Sequence, residues 1–356
     1  MSDVPPDALV NILSRLPVKS LLRCRSLSKT ERALIDSPHF VNLHTKQSMK
    51  TDKLLVSSKR SHSSTSFRPL NLDSPQTSVE LETPFDTTRF PNVLGTCHGL
   101  VCLSNMPFDR FIVLWNPATQ KYKVILTPMV YPSSSNVLIA FNQVGYDHVN
   151  DDYKVVRLIQ TGGYVWLNSM VFVYSLKLNM WRLVEQRFPY YFNLALCQGQ
   201  GVCVNSALHW LVSKKPHLGN DLLVSFDLAS QSFRLVPHPE CFNSDMITSL
   251  GVLGGCLCVV GYRELRSIDV WVMGEYGLKE SWSKLVALTP GNVSRCVFLS
   301  VRPITYLKNG KEVVLEVNQQ WFEIYDIEKK TSRQIMIGDA SRRISTYVYQ
   351  ETLVRL

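Results

Sequence analysis

The sequence predicts a small all-α module at the N-terminus followed by a larger all-β domain. Three observations predict this order: helical periodicity confined to the first 45 residues, short strand-like runs separated by turn residues after Phe67, and a repeat of about 50 residues within that second part. We expect a helical module at 1–45, a polar connector with one short strand at 46–66, and the β domain at 67–356.

Apolar residues at helical spacing mark the first module. One face of its first helix is formed by Leu9, Ile12, Leu13 and Leu16. Pro17 ends that helix and a second apolar run begins at Val18. A third helix is expected after Ser28, which with Glu31 has the spacing of a capping box. About 40 residues bury too little surface for a comfortable core, so the module is either a cap on the next domain or a docking module completed by a partner.

A two-stranded unit recurs through the β domain: an apolar strand, a turn, and a strand that often holds an aromatic residue. Its copies lie at 111–126, 171–185, 222–237, 268–286 and 321–337, with a weaker one at 66–81. The turns open at Asp73, Asn116, Ser175, Asp227, Met273 and Asp326, with intervals of 43, 59, 52, 46 and 53 residues. A drifting period near 50 is typical of kelch-like β-propeller blades, so we expect about six blades. A pair of β-sandwiches is the structural alternative.

Two further patterns support a closed ring of blades. Small-residue turns lead into apolar strands at 99–103, 205–211 and 254–259, which we expect to be inner strands of the same blades. The segment 346–354 is a final strand that can close the ring with chain from the N-terminal part.

Charge and cysteine usage restrict the class of protein. The net charge is +9, and residues 1–60 hold 11 Lys/Arg against 5 Asp/Glu. This basic stretch has almost no interleaved aromatic residues, which favours a solvated helix face or an acidic protein partner over nucleic acid. No apolar run approaches the ~18 residues of a membrane helix, so we expect no membrane partner. The 9 cysteines are scattered and no secretory signal precedes them, which predicts the cytoplasm or nucleus.

The sequence contains no complete motif for metal binding or catalysis. His98 lies beside Cys97 and four residues before Cys102, but no C-x₂-C pair occurs. Asp147 and Asp152 fit a turn and strand entry better than a cation loop. There is no G-x-S-x-G and no cysteine with an assignable histidine partner. We therefore expect no cofactor, no metal and no enzymatic activity.

The N-terminal residues resemble the plant F-box motif nearly position for position. The matching strings are Pro5-x-Asp7, Ile12-Leu13-x-Arg15-Leu16-Pro17-Val18-Lys19-Ser20-Leu21-Leu22-Arg23, Ser28-Lys29, Leu34-Ile35 and Pro38-x-Phe40. At Glu31 the family usually has a tryptophan, and this departure bears on the tightness of adaptor contact.

The β domain resembles the F-box-associated domain of plant F-box proteins. The most specific matches are Trp115-Asn116-Pro117-Ala118-Thr119 and Gly145-Tyr146-Asp147 with Asp151-Asp152-Tyr153-Lys154-Val155-Val156. Together the two resemblances span nearly the whole chain in the expected order.

The resemblance implies a substrate-receptor subunit of an SCF-type ubiquitin ligase. The F-box would bind a Skp1-like adaptor, and through it a cullin, while the β domain would bind an unidentified target protein for ubiquitination. The adaptor-binding residues so implied are Pro5, Asp7, Ile12, Leu13, Leu16, Pro17, Val18, Leu21, Leu22 and Leu27. The alternative is a propeller enzyme or small-molecule sensor with an unrelated helical cap. A convergent polar cluster at the propeller mouth would favour that alternative.

Overall fold

The computed structural model describes fifteen stretches of the chain. These are residues 5–49, 53–60, 64–72, 79–86, 92–104, 110–129, 137–162, 167–192, 201–215, 222–239, 247–263, 267–289, 300–307, 310–336 and 343–356. Within them, helices occupy the N-terminal part and antiparallel strands the remainder.

Four short helices form the N-terminal module, and prolines or serines precede each one. The helices are α1 (Pro6–Leu13), α2 (Val18–Cys24), α3 (Lys29–Ile35) and α4 (Pro38–Ser48). The Ser28 hydroxyl accepts hydrogen bonds from the amides of Thr30 and Glu31, and the Ser37 hydroxyl accepts one from the amide of Phe40. The predicted third helix is thus capped at Ser28, and the last helix runs from Pro38 to Ser48.

Six sheets form the propeller, and we number the blades in chain order. Blade 1 contains β1 (Lys53–Arg60), β2 (Ser64–Leu70) and, from the other end of the chain, β23 (Ile344–Tyr349). Blade 2 contains β3 (Asn92–Cys97), β4 (Leu100–Ser104), β5 (Phe111–Asn116) and β6 (Lys121–Leu126). Blade 3 contains β7 (Val137–Asp147), β8 (Asp152–Gly162), β9 (Leu167–Ser175) and β10 (Met180–Val184).

The remaining three blades repeat the same four-stranded meander. Blade 4 contains β11 (Val202–Val204), β12 (Ala207–Val212), β13 (Leu222–Asp227) and β14 (Ser232–Val236). Blade 5 contains β15 (Ile247–Leu253), β16 (Cys256–Arg263), β17 (Ser267–Met273) and β18 (Trp282–Leu288). Blade 6 contains β19 (Val301–Leu307), β20 (Glu312–Val317), β21 (Trp321–Asp326) and β22 (Thr331–Met336). The structure is therefore the predicted propeller, with six blades, and not a pair of sandwiches.

The five clear copies of the repeat are the third and fourth strands of blades 2 to 6. The small-residue turns lead into β4, β12 and β16, which are the second strands of their blades and not the innermost ones. The first part of the weaker copy at 66–81 belongs to β2, and Asp73, where its turn was expected to open, lies outside the described residues.

The segment 46–66 differs from the predicted polar connector. Its described residues finish α4 and then form β1 and the beginning of β2. β1 lies between β2 and β23, so the first and last strands of the propeller share one sheet and close the ring. The serines that made this segment look like a loop are paired within the sheet: the Ser58 and Ser66 hydroxyls lie 2.7 Å apart, and the Ser57 hydroxyl donates to the Ser345 carbonyl at 3.2 Å.

The propeller core lies between neighbouring blades. In β20, Val313 and Leu315 pack against blade 5, and Val314 between them packs against blade 1. Because alternate side chains face opposite neighbours, a strand covered on both faces reads as a continuous apolar run. Each of the six blade interfaces has its own buried apolar cluster of this kind.

Candidate functional site

The helical module lies at the end of the propeller where β23 leaves the ring, and the last seven residues lie against both. We call residues 350–356 the C-terminal tail. The module's buried core consists of Leu13, Val18, Leu21, Ile35 and Phe40 together with Leu353 of this tail. Ala118, from the turn between β5 and β6, packs against the same core. The module therefore completes its core on its own propeller, the first of the two alternatives left open by its size.

The ten residues implied in adaptor binding divide into three groups by exposure. Leu13, Val18 and Leu21 are buried in the module's own core. Leu16 and Leu22 are half-buried at its edge. The exposed group contains Pro5, Asp7, Ile12, Pro17 and Leu27. Buried residues hold the helices together, so only the exposed and half-buried groups are available to a second protein without unfolding.

Within residues 5–45, Ile12 and Leu27 are the two exposed large apolar side chains. Ile12 is 56% exposed, although its neighbour Leu13 is buried, and Leu27 is 77% exposed just after α2. A single exposed leucine is ordinary, but two in a module of four short helices present apolar area that a partner can cover. Exposed Arg15, Lys19 and Arg23 give the same region a positive charge.

The Glu31 side chain does not complete the capping box expected with Ser28. Ser28 supplies its half of the box at 3.2 and 3.3 Å. Glu31 is half-buried, and its Oε2 atom has no hydrogen-bond partner among the described residues. A solvent-excluded carboxylate oxygen without a partner is unfavourable, so this position is a weak point of the module.

Asp36, the residue that ends α3, ties the module together electrostatically. Its carboxylate accepts hydrogen bonds from the Arg25 guanidinium at 2.6 and 2.9 Å and pairs with Arg355 of the tail. The hydrogen bond from Arg25, assisted by Arg355, lowers the pKa of Asp36 to about 2. The network connects the end of α2, the end of α3 and the C-terminal tail through one carboxylate.

His44 joins α4 to the end of α1. Its Nε2 atom lies 3.0 Å from the Leu16 carbonyl oxygen, and its ring stacks near Phe40. Burial lowers the pKa of His44, so its neutral form is favoured. The neutral ring with Nε2 protonated donates this bond to the carbonyl, which fixes the chain just before Pro17.

In the propeller, the Gly145–Val156 motif locks blade 3 to blade 4. Asp147 accepts hydrogen bonds from the amides of Val149 and Asn150, the turn role expected from the sequence. The Lys154 ammonium donates to Asp147 at 2.6 Å and to the Leu228 carbonyl of blade 4 at 2.7 Å. Although burial opposes ionisation of Asp147, hydrogen bonds from Lys154 and Asn150 lower its pKa. The motif therefore has a structural role, since it makes a turn and joins two blades.

The histidine next to Cys97 lies in an aromatic cluster. His98 packs against Tyr146, His148 and Tyr153, with ring centroids 4.8, 5.5 and 6.3 Å away. Burial, with a smaller effect of His148, lowers the pKa of His98 to about 4. In the described part of the chain, no group of three or more His, Cys, Asp or Glu side chains is arranged to hold a metal ion.

Sequence reasoning missed the residues that join the module to the propeller. Leu353 and Arg355 look like an ordinary chain end, and Asn116 looks like a turn residue only. The sole available signal was the small size of the module, which required a further apolar contribution from elsewhere. No helix in the ranges that the structure describes is both long enough and apolar enough to cross a bilayer.

Four short helices followed by a six-bladed propeller define a class of two-part proteins, and comparison with known families gives the same division. Residues 1–43 match the F-box domain model, and residues 43–354 match the F-box associated beta propeller domain model. The chain therefore belongs to the family of F-box proteins with an F-box-associated propeller. The helical cap is thus an F-box and not an unrelated element.

Known relatives cover nearly the full length of the chain. F-box protein CPR1 from Arabidopsis thaliana is 32% identical over 99% of this chain and 89% of the relative. F-box protein At4g22390 from the same plant is 31% identical over 91% of this chain and 84% of the relative. Among solved structures, an oligogalacturonate lyase in complex with manganese aligns over 77% of this chain and 71% of that chain, with a TM-score of 0.45 and 11% identity. A similarity this low has no bearing on function.

Proposed function

We propose that the chain is the substrate receptor of an SCF-type ubiquitin ligase. The F-box binds a Skp1-like adaptor and through it a cullin, and the propeller binds a target protein. The receptor performs no chemistry itself. It raises the local concentration of target lysines near the ubiquitin-conjugating enzyme. The single observation on which the proposal rests is that the described part of the F-box keeps Ile12 and Leu27 exposed while residues such as Leu13, Leu21 and Phe40 pack inward.

The positive surface of the F-box supports an acidic adaptor. Arg15, Lys19 and Arg23 are exposed, whereas Asp36 is already paired with arginines. Surface charge of this kind steers encounter with an oppositely charged partner. No basic stripe with interleaved aromatic residues accompanies it, so we propose neither nucleic acid nor a membrane as partner.

The same proposal places the chain in the cytoplasm or nucleus. The described cysteines Cys24, Cys97, Cys102, Cys203, Cys256 and Cys258 are all free thiols. Free thiols are typical of a reducing compartment.

The test is affinity capture from cells in which the proteasome is blocked, comparing the full chain with the variant Ile12→Asp/Leu27→Asp. We expect the wild-type chain to retain adaptor, cullin and target peptides together. The variant is expected to lose adaptor and cullin but to retain the target. Equal recovery of the adaptor by both chains would contradict the proposal.

A further inference from the structure

The C-terminal tail passes through a narrow gap at the end of blade 2. Thr352 is fully buried, and its hydroxyl donates to the His98 carbonyl at 3.3 Å. Gly99 has a φ of +83°, and a Cβ atom there would lie 2.5 Å from both the Gln350 carbonyl oxygen and the Thr352 hydroxyl. The Gly99 position thus serves both the turn and the close approach of the tail.

Asn116 holds the tail at two consecutive points. Its Nδ2 atom donates to the Thr352 carbonyl at 3.0 Å and to the Val354 carbonyl at 2.9 Å. Its Oδ1 atom accepts from the amides of Ala118 and Thr119, which makes the turn between β5 and β6. One fully buried amide therefore shapes the blade 2 turn and anchors the tail at the same time.

The residue between those two anchored carbonyls enters the F-box. Leu353 is 6% exposed and packs with Leu21 and Phe40, whose side chains are fully buried. Arg355 then pairs with Asp36 at the end of α3, and Leu356 returns to the apolar cluster between blades 2 and 3. On the propeller side, Glu351 pairs with Lys53 of β1 at 2.8 Å. The tail thus alternates between contacts with the propeller and contacts with the F-box.

We propose that this tail is a built-in part of the F-box, so that Asn116 and Leu353 position the adaptor-binding surface relative to the propeller. Asn116 fixes the backbone of the tail, and the tail inserts Leu353 into the helical core. Loss of either contact leaves the F-box with an incomplete core and no fixed orientation. Both are positioning residues, since each is buried and would act on the adaptor-binding surface through the tail and the helical core. The adaptor part of this inference rests on the proposed function.

The equivalent turns in blades 4 and 6 provide the control. Asp227 accepts a hydrogen bond from the amide of Ser230, and Asp326 accepts from the amides of Glu328 and Lys329. Aspartate therefore makes the same turn as Asn116 but lacks the Nδ2 donor. Asn116→Asp preserves the turn acceptor, removes the two tail bonds, and sets a carboxylate against two carbonyls. Asp227→Asn makes the reverse change in a turn that has no contact with the tail.

The first measurement is hydrogen–deuterium exchange on the full chain. With Asn116→Asp we expect amides of α1–α4 to exchange at least tenfold faster, while amides of β4 and β5 stay within twofold of wild type. Leu353→Ala should produce a larger increase at the same amides. Asp227→Asn should leave the module unchanged. Unchanged exchange rates in α1–α4 for both tail variants would overturn the proposal. An increase in β4 and β5 as large as that in α1–α4 for Asn116→Asp would also overturn it.

The second measurement separates orientation from stability. One dye is attached to a Skp1-like adaptor present at saturating concentration, and a second dye is attached to the propeller at position 235, where Leu235 is exposed. For the otherwise wild-type chain, single-molecule energy transfer should give one narrow distribution of the distance between the dyes. Asn116→Asp should weaken adaptor binding at least fivefold and broaden this distance distribution even at saturation. A narrow distribution for the variant would overturn the positioning role. If wild type does not bind the adaptor, the proposed function fails while the exchange experiment still tests the tail.

Discussion

Each propeller blade buries its faces against two neighbours, whereas the F-box has a single small core that includes Leu353 from the opposite end of the chain. Blade interfaces repeat the same apolar pattern six times, and they are joined by buried polar links such as Lys154 to Leu228. The F-box relies instead on helix caps, one half-buried carboxylate network and the tail. The difference indicates that the propeller is stabilised by its repeated blade interfaces, and the F-box by its contacts with the C-terminal tail.

The largest expected effect comes from removing one buried aromatic residue from each region. Trp115→Ala in blade 2 and Phe40→Ala in the F-box each delete a side chain with 0% exposure and should each cost about 3–5 kcal/mol locally. We expect Phe40→Ala to unfold the helices while the strands stay protected from hydrogen exchange. Trp115→Ala should raise exchange across several blades. Loss of strand protection in Phe40→Ala would show that the two regions unfold together.

Removing one partner of the buried Lys154–Asp147 ion pair should destabilise the propeller more than removing one partner of an exposed ion pair. Lys154→Met leaves the Asp147 carboxylate buried without its cation, so we expect a loss of about 3 kcal/mol in the free energy of unfolding. Lys284→Met is the matched control, because Lys284 pairs with Asp269 at 2.9 Å but is 37% exposed. Loss of the Lys284–Asp269 ion pair should lower the free energy of unfolding by less than about 1 kcal/mol. Urea unfolding followed by tryptophan fluorescence measures both, and equal costs would contradict the blade-locking role of Lys154.

The Asp36 network should make the F-box sensitive to acid. The pKa of Asp36 is lowered to about 2 in the folded chain, so its stabilising effect is full above about pH 4 and is lost as the pH falls toward 2. Circular dichroism at 222 nm reports the F-box, because helices of the described chain are concentrated there. Asp36→Asn should be less stable at pH 6 and should lose the part of the pH dependence between 4 and 2. An unchanged acid titration in the variant would exclude Asp36 as its source.

The smallest expected effect concerns Glu31. In Glu31→Trp, an aromatic side chain takes the place of a half-buried carboxylate, one oxygen of which has no hydrogen-bond partner. The substitution preserves the helix cap, since Ser28 accepts its hydrogen bond from the backbone amide of residue 31. We expect binding of a Skp1-like adaptor to tighten by about 1–2 kcal/mol in calorimetry. Thr30→Trp, at an exposed position of the same helix, controls for an added tryptophan. Equal affinity of Glu31→Trp and wild type would mean that the module has adapted to glutamate.

Local pattern was sufficient to predict much of this fold. The recurring strand pairs, such as β5–β6 and β13–β14, depend on contacts close in sequence and were predicted correctly. Helical spacing likewise predicted α1, but the helix ends at Leu13, and Leu16 lies in the turn before Pro17. The polar segment at 46–66 contains the one short strand that was expected, but it was wrongly assigned as a connector, because its serines satisfy their hydroxyls across a sheet closed by β23, almost 300 residues away. The closing strand itself was predicted: the expected segment 346–354 overlaps β23, although its residues 350–354 form no strand.

The candidate site was predicted only in part for the same reason. Periodicity identifies the apolar face of α1 and α2, but it does not say which residues Leu353 covers. Leu21 therefore looked equivalent to Ile12, although the first is fully buried and the second is 56% exposed. The contribution of Asn116 was hidden because its turn role already accounted for an asparagine at that position.

The central claim, that the exposed apolar side chains of the F-box bind the adaptor, is tested most directly by calorimetry of the full chain with a purified Skp1-like adaptor. Ile12→Asp is compared with Leu235→Asp in blade 4, because the two side chains have nearly equal exposure, 56% and 54%. We expect Ile12→Asp to weaken binding at least tenfold, since a charged group would be buried at the interface, and Leu235→Asp to leave the affinity unchanged. Equal affinity for wild type and Ile12→Asp would contradict the claim.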